Sequence, residues 1–391
     1  RLNPWPVFDE IDISSCSKVL SSGKVNYFTG EQGLIFEKEF AAWTNNKYSV
    51  ALANGTLALS SAYYSLGLNL NDEVITSPRT FIATSSTLVL QGCKPVFADV
   101  NRDSGLIDTN SIEPLITNKT KAISIVHLGG WPADMPAICD LAKSYNIKVV
   151  EDCSQAHGAQ ILHNNNWSSV GSFGDVSTWS FCQDKIMTTG GEGGMITTNN
   201  KKIWEKIWAY KDHGKNYKLF KEPKKNNSFK WLHEEFGSNY RMTEMQSTIG
   251  RNQLLKIKEW NRLRTRNANL LISSLSPLNL IRIPTPHSNL KHAWYKFYCY
   301  LDYKFVKSDW DRERIIHEIS TLGYPAYTGG CSEIYLEKCF QKIGYGNMQR
   351  LVNARELGET SLMFLIHPSI TYDQMINYCE AIKNVLKSAS I

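Results

Sequence analysis

Three places in the chain join a run of strand-forming residues to a group able to do chemistry at its carboxyl end. Tyr48 to Ala53 runs into Asn54-Gly55-Thr56 and then into a helical pattern. A glycine at that point lets the backbone approach a ligand, and the free amides of a helix start suit a phosphate. Lys148 to Glu151 ends on the carboxylate of Asp152. Val176 to Phe181 leads to Cys182-Gln183-Asp184-Lys185 and then to Thr188-Thr189-Gly190-Gly191-Glu192-Gly193-Gly194. In open α/β sheets, ligands bind at the carboxyl ends of strands. A phosphate seat, a carboxylate and a lysine at three such ends are what pyridoxal 5′-phosphate (PLP) requires. Its phosphate needs donors, its ring nitrogen needs an anion to hold a proton, and its aldehyde needs an amine. Singly, each feature is ordinary: a turn, a helix cap, a solvated lysine. The glycines at 190–194 are not a dinucleotide fingerprint, because the strand-like Met195-Ile196-Thr197-Thr198 follows them rather than a helix.

The elements around these residues predict how they are held. Strands are expected at 48–53, 74–77, 95–100, 122–127, 148–151, 176–181 and 195–198. Helices are expected between them at 56–66, 83–90 and 135–145. In the last of these Ile138, Leu141, Ala142 and Tyr145 share one stripe. This alternation predicts an α/β fold with a mostly parallel sheet covered by helices on both faces. The strand at 95–100 has little room after it, which predicts that it runs against the others. A long helix at 241–265 leads out of the sheet. Beyond Ser276-Pro277 come loops, a strand at 294–301 and helices at 310–322 and 372–387. The boundary is placed near 260, giving a large domain over 1–260 and a smaller α+β domain over 261–391. There is no internal repeat and no low-complexity tract.

Composition excludes several classes. The chain has 391 residues, 42% hydrophobic and 20% charged, which is ordinary globular balance. No apolar run approaches the roughly 20 residues that span a bilayer, and the first residues hold no signal-peptide core. A cytoplasmic protein with no membrane partner is the expectation. The net charge of +6 is too mild for a nucleic-acid footprint. Basic residues do bunch between Lys201 and Lys230, including Lys211, Lys215, Lys218, Lys221, Lys224 and Lys225. They read as a solvated helix and loop face, with a diphosphate-attracting rim as the functional alternative. Nine cysteines at irregular intervals, without C-x-x-C spacing, predict reduced and mostly buried thiols. The nine histidines show no ligand spacing, so no catalytic metal is expected. His127 and His157 read as hydrogen-bonded strand-end histidines rather than bases.

The same residues resemble the DegT/DnrJ/EryC1/StrS family of PLP-dependent nucleotide-sugar aminotransferases, over roughly 25–385. Asn54-Gly55-Thr56 is similar to its phosphate turn, and Pro78-Arg79-Thr80-Phe81-Ile82-Ala83-Thr84 to the segment whose aromatic stacks on the cofactor. Val150-Glu151-Asp152-Cys153-Ser154-Gln155-Ala156-His157-Gly158, Trp179-Ser180-Phe181 with Lys185, and Gly237-Ser238-Asn239-Tyr240-Arg241-Met242 continue the pattern. The resemblance implies a fold-type I, aspartate aminotransferase-like architecture. It makes Lys185 the Schiff-base lysine and Asp152 the partner of the ring nitrogen. Gln155 comes to lie near the ring hydroxyl and Phe81 against the ring. Gly55, Thr56 and Ser180 hold the phosphate. Asn239 reaches the phosphate of a neighbouring subunit, so a homodimer with interfacial active sites is implied. Lys185 stands where a dehydratase branch of the family has histidine. Arg79 departs from the small residue common there, and reads either as a substrate contact or as a surface ion pair.

The activity so implied is transfer of an amino group from L-glutamate to a nucleotide-linked keto sugar, for bacterial surface polysaccharide. The substrate expected first is dTDP-4-keto-6-deoxy-D-glucose, giving the 4-amino-4,6-dideoxy sugar, with GDP- and UDP-linked sugars as alternatives. A dehydratase or lyase of the same fold, and a catalytically silent PLP-binding or regulatory protein, are the readings from other classes.

Overall fold

The computed structural model describes residues 1–223, 229–345 and 349–391. Lys224 and Lys225 of the basic run lie outside the described residues. In chain order the strands are β1 (Tyr48–Leu52), β2 (Glu73–Thr76), β3 (Lys94–Phe97), β4 (Thr120–Val126) and β5 (Lys148–Asp152). A hairpin of β6 (Gln160–His163) and β7 (Asn166–Ser169) follows, then β8 (Val176–Ser180) and β9 (Gly194–Thr198). Seven of these form one sheet in the order β1-β9-β8-β5-β4-β2-β3. Neighbours from β8 to β3 pair in parallel, while β9 runs antiparallel to both β8 and β1. Residues of β4, β5 and β8 are buried almost throughout, as strands covered on both faces must be.

One strand direction differs from expectation. β3 runs parallel to β2, with Ile75 opposite Val96. The reason is the helix Ala83–Leu90, which returns the chain to the same edge and makes a crossover unit. Room after β3 comes from the short helix Thr109–Ile112 and a following 3₁₀ turn, elements that carry too few residues to show periodicity.

The helix Glu244–Leu275 is far longer than its sequence pattern suggested, at 32 residues. Its start is set by a capping box in which the Thr243 hydroxyl accepts from the Gln246 amide and Gln246 answers at the Thr243 amide. The helix buries Ile257 and Trp260 in the core of the large sheet and Ala268, Leu271 and Leu275 in a second core. That second core packs around β10 (Ile281–Arg282), β12 (Phe297–Leu301) and β13 (Ser361–Phe364), which form a small antiparallel sheet, and around the helix Tyr372–Ala389. Between β10 and β12, β11 (Leu290–Lys291) adds to the β6–β7 hairpin. No described helix is long and apolar enough to cross a membrane.

The cysteines are free. Four are buried, three are half-buried, and Cys331 and Cys339 are exposed, so burial is less complete than expected. The basic run also differs from a solvated face. Lys211 is fully buried, its Nζ 3.2 Å from Glu37 Oε1 and 3.6 Å from the centre of the Tyr27 ring. Lys215 pairs with Asp212 and Lys230 with Glu222. Lys211 thereby joins Glu37, whose Oε1 also accepts from the Ala51 amide of β1.

Candidate active site

The carboxyl ends of β1, β5 and β8 open into one cleft of about 1470 Å³. Gly55, Thr56, Phe81, Asp152, Gln155, Ser180 and Lys185 all line it. Four separate stretches of sequence therefore meet at one place, because a parallel sheet aligns its strand ends.

Each side chain is held by local structure. Asn54 caps the helix Gly55–Ser65, its Oδ1 accepting from the Leu57 amide at 2.9 Å. That leaves the amides of Gly55 and Thr56 without an intrahelical acceptor and facing the cleft. Gly55 passes so close to Ser180 that a Cβ there would stand 2.6 Å from Ser180 Cβ, so only glycine keeps the seat open. Asp152 is buried at 5% exposure. Its Oδ2 accepts from the Thr84 hydroxyl at 2.9 Å, and its Oδ1 from the Ser154 amide at 3.1 Å. Gln155 Oε1 accepts from the Gly129 amide at 2.8 Å, which turns that side chain along the cleft floor. Phe81 is 67% exposed, a bare aromatic face on the cleft wall. Lys185 is half-buried, with Nζ 5.0 Å from the centre of the Tyr295 ring, and its carbonyl accepts from the Trp5 indole at 2.9 Å.

Asn239 is the one candidate that does not line this cleft. It is exposed and bridges to Asp212, one residue before Tyr240, whose carbonyl accepts from the Ala53 amide at 2.9 Å. Arg79 is neither a surface ion pair nor part of the cleft lining. It is buried at 3% exposure, donates from Nη1 to the Tyr300 hydroxyl at 2.7 Å, and lies over the Tyr298 and Tyr300 rings. The segment after β2 is thereby clamped to β12 of the second core.

Behind the cleft, Glu151 precedes Asp152 and is buried completely. Its carboxylate accepts from the amides of Gly171, Phe173 and Gly174 at 2.7, 2.9 and 2.7 Å, and pairs with His127 Nε2 at 3.1 Å. His127 Nδ1 accepts from the Ala133 amide, so Nε2 carries the proton given to Glu151. Cys153 Sγ lies close to both groups, but these bonds already occupy the carboxylate.

His157 is also buried, between Trp179 and Phe181, and neither ring nitrogen has a partner among the described residues. Burial first, then Lys185 and Arg264, push it down to about 3. His292 and His367 are likewise brought to about 3, chiefly by burial. A histidine with a lowered folded pKa stays neutral in the native state while the unfolded chain takes up a proton. Stability is therefore lost as pH falls from about 6.5 toward 3. Replacing His157 by phenylalanine is expected to remove one proton from that dependence. Urea unfolding between pH 4 and 7 measures it, and an unchanged slope would show that His157 is not held neutral.

Several lining residues gave no local signal in the sequence. Thr84 sits inside a quoted segment but acts through Asp152. Trp5 enters from the amino terminus, and Tyr295, Lys296 and His367 from the carboxyl-terminal part of the chain.

The chemistry of the donor set fits PLP: an open seat with amides and a hydroxyl, a buried carboxylate, an exposed aromatic face and a lysine whose amine has no hydrogen-bond or ion-pair partner among the described residues share one cleft. A fold-type I α/β architecture with this site defines a PLP-dependent aminotransferase. Residues 6–383 match the DegT/DnrJ/EryC1/StrS aminotransferase family, and the chain belongs to that family. An aminotransferase structure from Psychrobacter cryohalolentis is 46% identical, with a TM-score of 0.96 and full coverage of both chains. GDP-perosamine synthase of Escherichia coli O157:H7 is 31% identical, over 89% of this chain and 88% of the relative. The dTDP-3-amino-3,6-dideoxy-alpha-D-galactopyranose transaminase of Aneurinibacillus thermoaerophilus is 34% identical, over 72% of each.

Proposed function

We propose that the protein moves the amino group of L-glutamate onto a keto carbon of a nucleotide-linked sugar, with Lys185 and Asp152 as its catalytic residues. The observation that carries this reading is the meeting of Lys185, Asp152 and the Gly55–Ser180 seat in a cleft large enough for a nucleotide sugar. The relatives support the substrate class, since their names refer to GDP- and dTDP-linked sugars.

Gly55, Thr56 and Ser180 would hold the cofactor's phosphate, Phe81 would lie on its ring, and Gln155 would stand near its hydroxyl. Asp152 would hold the proton on its ring nitrogen. When bound, PLP supplies an electron sink and carries the amino group between the two substrates. Lys185 would anchor it covalently at rest. Once freed, its amine would take the proton from the donor's α-carbon and deliver it to the cofactor, and would carry a proton the other way to the sugar's former keto carbon, as general base and general acid. Thr84 and the Ser154 amide keep Asp152 aimed, and Tyr295 limits where the Lys185 amine can swing. Asn239, exposed on the rim beyond β1, would complete the phosphate seat of a second copy, giving a homodimer. The chain would divide near residue 260 into the cofactor-holding unit and a smaller one that supplies the far wall.

The finer substrate we propose is dTDP-4-keto-6-deoxy-D-glucose, aminated at C4 for surface polysaccharide; GDP- and UDP-linked keto sugars are the second reading, favoured by the GDP-perosamine synthase relative. The test is a visible spectrum of the loaded protein, first with glutamate and then with each keto sugar. Bleaching by glutamate and recovery by one sugar is the expected result, and that sugar identifies the substrate. A spectrum indifferent to every amino donor would remove the reading.

A further inference from the structure

Beside Lys185 the cleft holds a charge arrangement that the roles above do not use. Lys296, on the approach to β12, is half-buried and lines the cleft with Asp184, Tyr295 and His367. Its ammonium lies 4.7 Å from the centre of the Tyr295 ring, the same ring that Lys185 borders at 5.0 Å. Its charged partner is Asp184, but the contact is loose. The Nζ to Oδ2 distance is 3.7 Å, and that same oxygen accepts from the Tyr295 hydroxyl.

The balance of charge is uneven. Burial of Lys296 disfavours its charge, Asp184 favours it, and Arg264 and Lys185 both repel it. Arg264 is fully buried, and its Nε and Nη2 have no partner among the described residues. The groups acting on Lys296 are thus two cations and a single carboxylate. His367, neutral through burial, adds no charge. A half-buried ammonium in such a setting is ready to take an anion.

The two substrates differ in where they carry charge. A nucleotide-linked sugar bears its charge on the diphosphate, a sugar ring away from or beside the keto carbon. An α-amino acid bears a carboxylate on the very carbon whose nitrogen must reach the cofactor at Lys185. A cation bordering the same ring as Lys185 therefore suits the amino acid. From this, and resting on the amino-transfer reading, we propose that Lys296 seats the α-carboxylate of the amino donor, exchanging its loose contact with Asp184 for it. When the donor's keto-acid product leaves, Asp184 takes the ammonium back, and the space is free for an uncharged part of the sugar.

The test compares wild type with Lys296→Met, which keeps the length of the stem, and Lys296→Arg. In loaded protein, the glutamate concentration for half-maximal bleaching of the visible band is expected to rise about 10- to 100-fold in Lys296→Met, the loss of one charged hydrogen bond, and to recover within a few-fold in Lys296→Arg. A simple alkylamine, which has no carboxylate, is expected to react equally with wild type and Lys296→Met. Calorimetric titration with succinate, which binds without reacting, is expected to weaken by a similar factor. Equal glutamate saturation in wild type and Lys296→Met overturns the proposal, and so does a loss that is as large with the alkylamine. A wild type that ignores every amino donor yet binds succinate through Lys296 counts against the amino-transfer reading and leaves the carboxylate seat standing.

Discussion

Lys185→Ala is expected to lower amino transfer by more than about 10⁴-fold while the fold survives. Positioned proton transfer alone is worth about 10²- to 10⁴-fold, and this substitution also removes the covalent anchor of the cofactor. Little stability rests on the side chain. Its ammonium contacts the face of Tyr295, and the bond that ties this segment to Trp5 uses the Lys185 carbonyl, which alanine keeps. Substitutions at half-exposed positions away from packing usually change stability by about 0.5 kcal/mol or less. Single-turnover rates and a denaturation curve measured on the same sample check both halves. A variant with more than a hundredth of the wild-type rate would take the catalytic role away from Lys185.

Glu151→Gln is expected to have the opposite profile, a large loss of stability from a residue that never touches a substrate. The fully buried carboxylate accepts from three backbone amides and from the buried His127. An amide side chain offers one oxygen where two are needed and points donors at donors. Breaking a buried network of this kind costs about 3–5 kcal/mol. There is a pH signature as well. Burial works to raise the carboxyl of Glu151, yet the bonds from His127 and the Gly174 and Gly171 amides outweigh it and hold it below the usual range. A carboxylate with a lowered folded pKa adds stability above the unfolded value of about 4.3, and that stability is lost as pH falls below it. Urea midpoints should therefore separate wild type from Glu151→Gln fully at pH 7 and converge in acid. The same turn of chain leads into Asp152, so the variant is also expected to hold PLP more weakly. A midpoint at pH 7 equal to wild type would show the network to be dispensable.

Much of the cofactor side of the cleft was legible in the residues themselves. Asn54-Gly55-Thr56, Asp152 and Lys185 each stand at, or within five residues of, the carboxyl end of a strand, so their placement needs little beyond the strand and the rule that strand ends align. The resemblance to the family added Phe81, Gln155 and Ser180, and the cleft gathers all of them. The direction of β3 was misread because its crossover helix was judged from the wrong side of the strand. Lys211 was misread as solvated, since nothing in its neighbours announces Glu37, which lies 174 positions away. Arg79 read as a substrate contact or a surface ion pair for the same reason: Tyr300, which accepts its hydrogen bond, lies 221 positions away.

The sequence alone determined the alternation of strands and helices, the chemistry at each strand end and the family, because these depend on residues close together in the chain. Only the tertiary structure decided what faces them. Trp5, Tyr295, Lys296 and His367 meet Lys185 through the packing of the helix Glu244–Leu275 across both cores. No local pattern encodes that meeting. It follows from burying two apolar faces against one helix, an energy that depends on total area and shape rather than on any neighbouring residue.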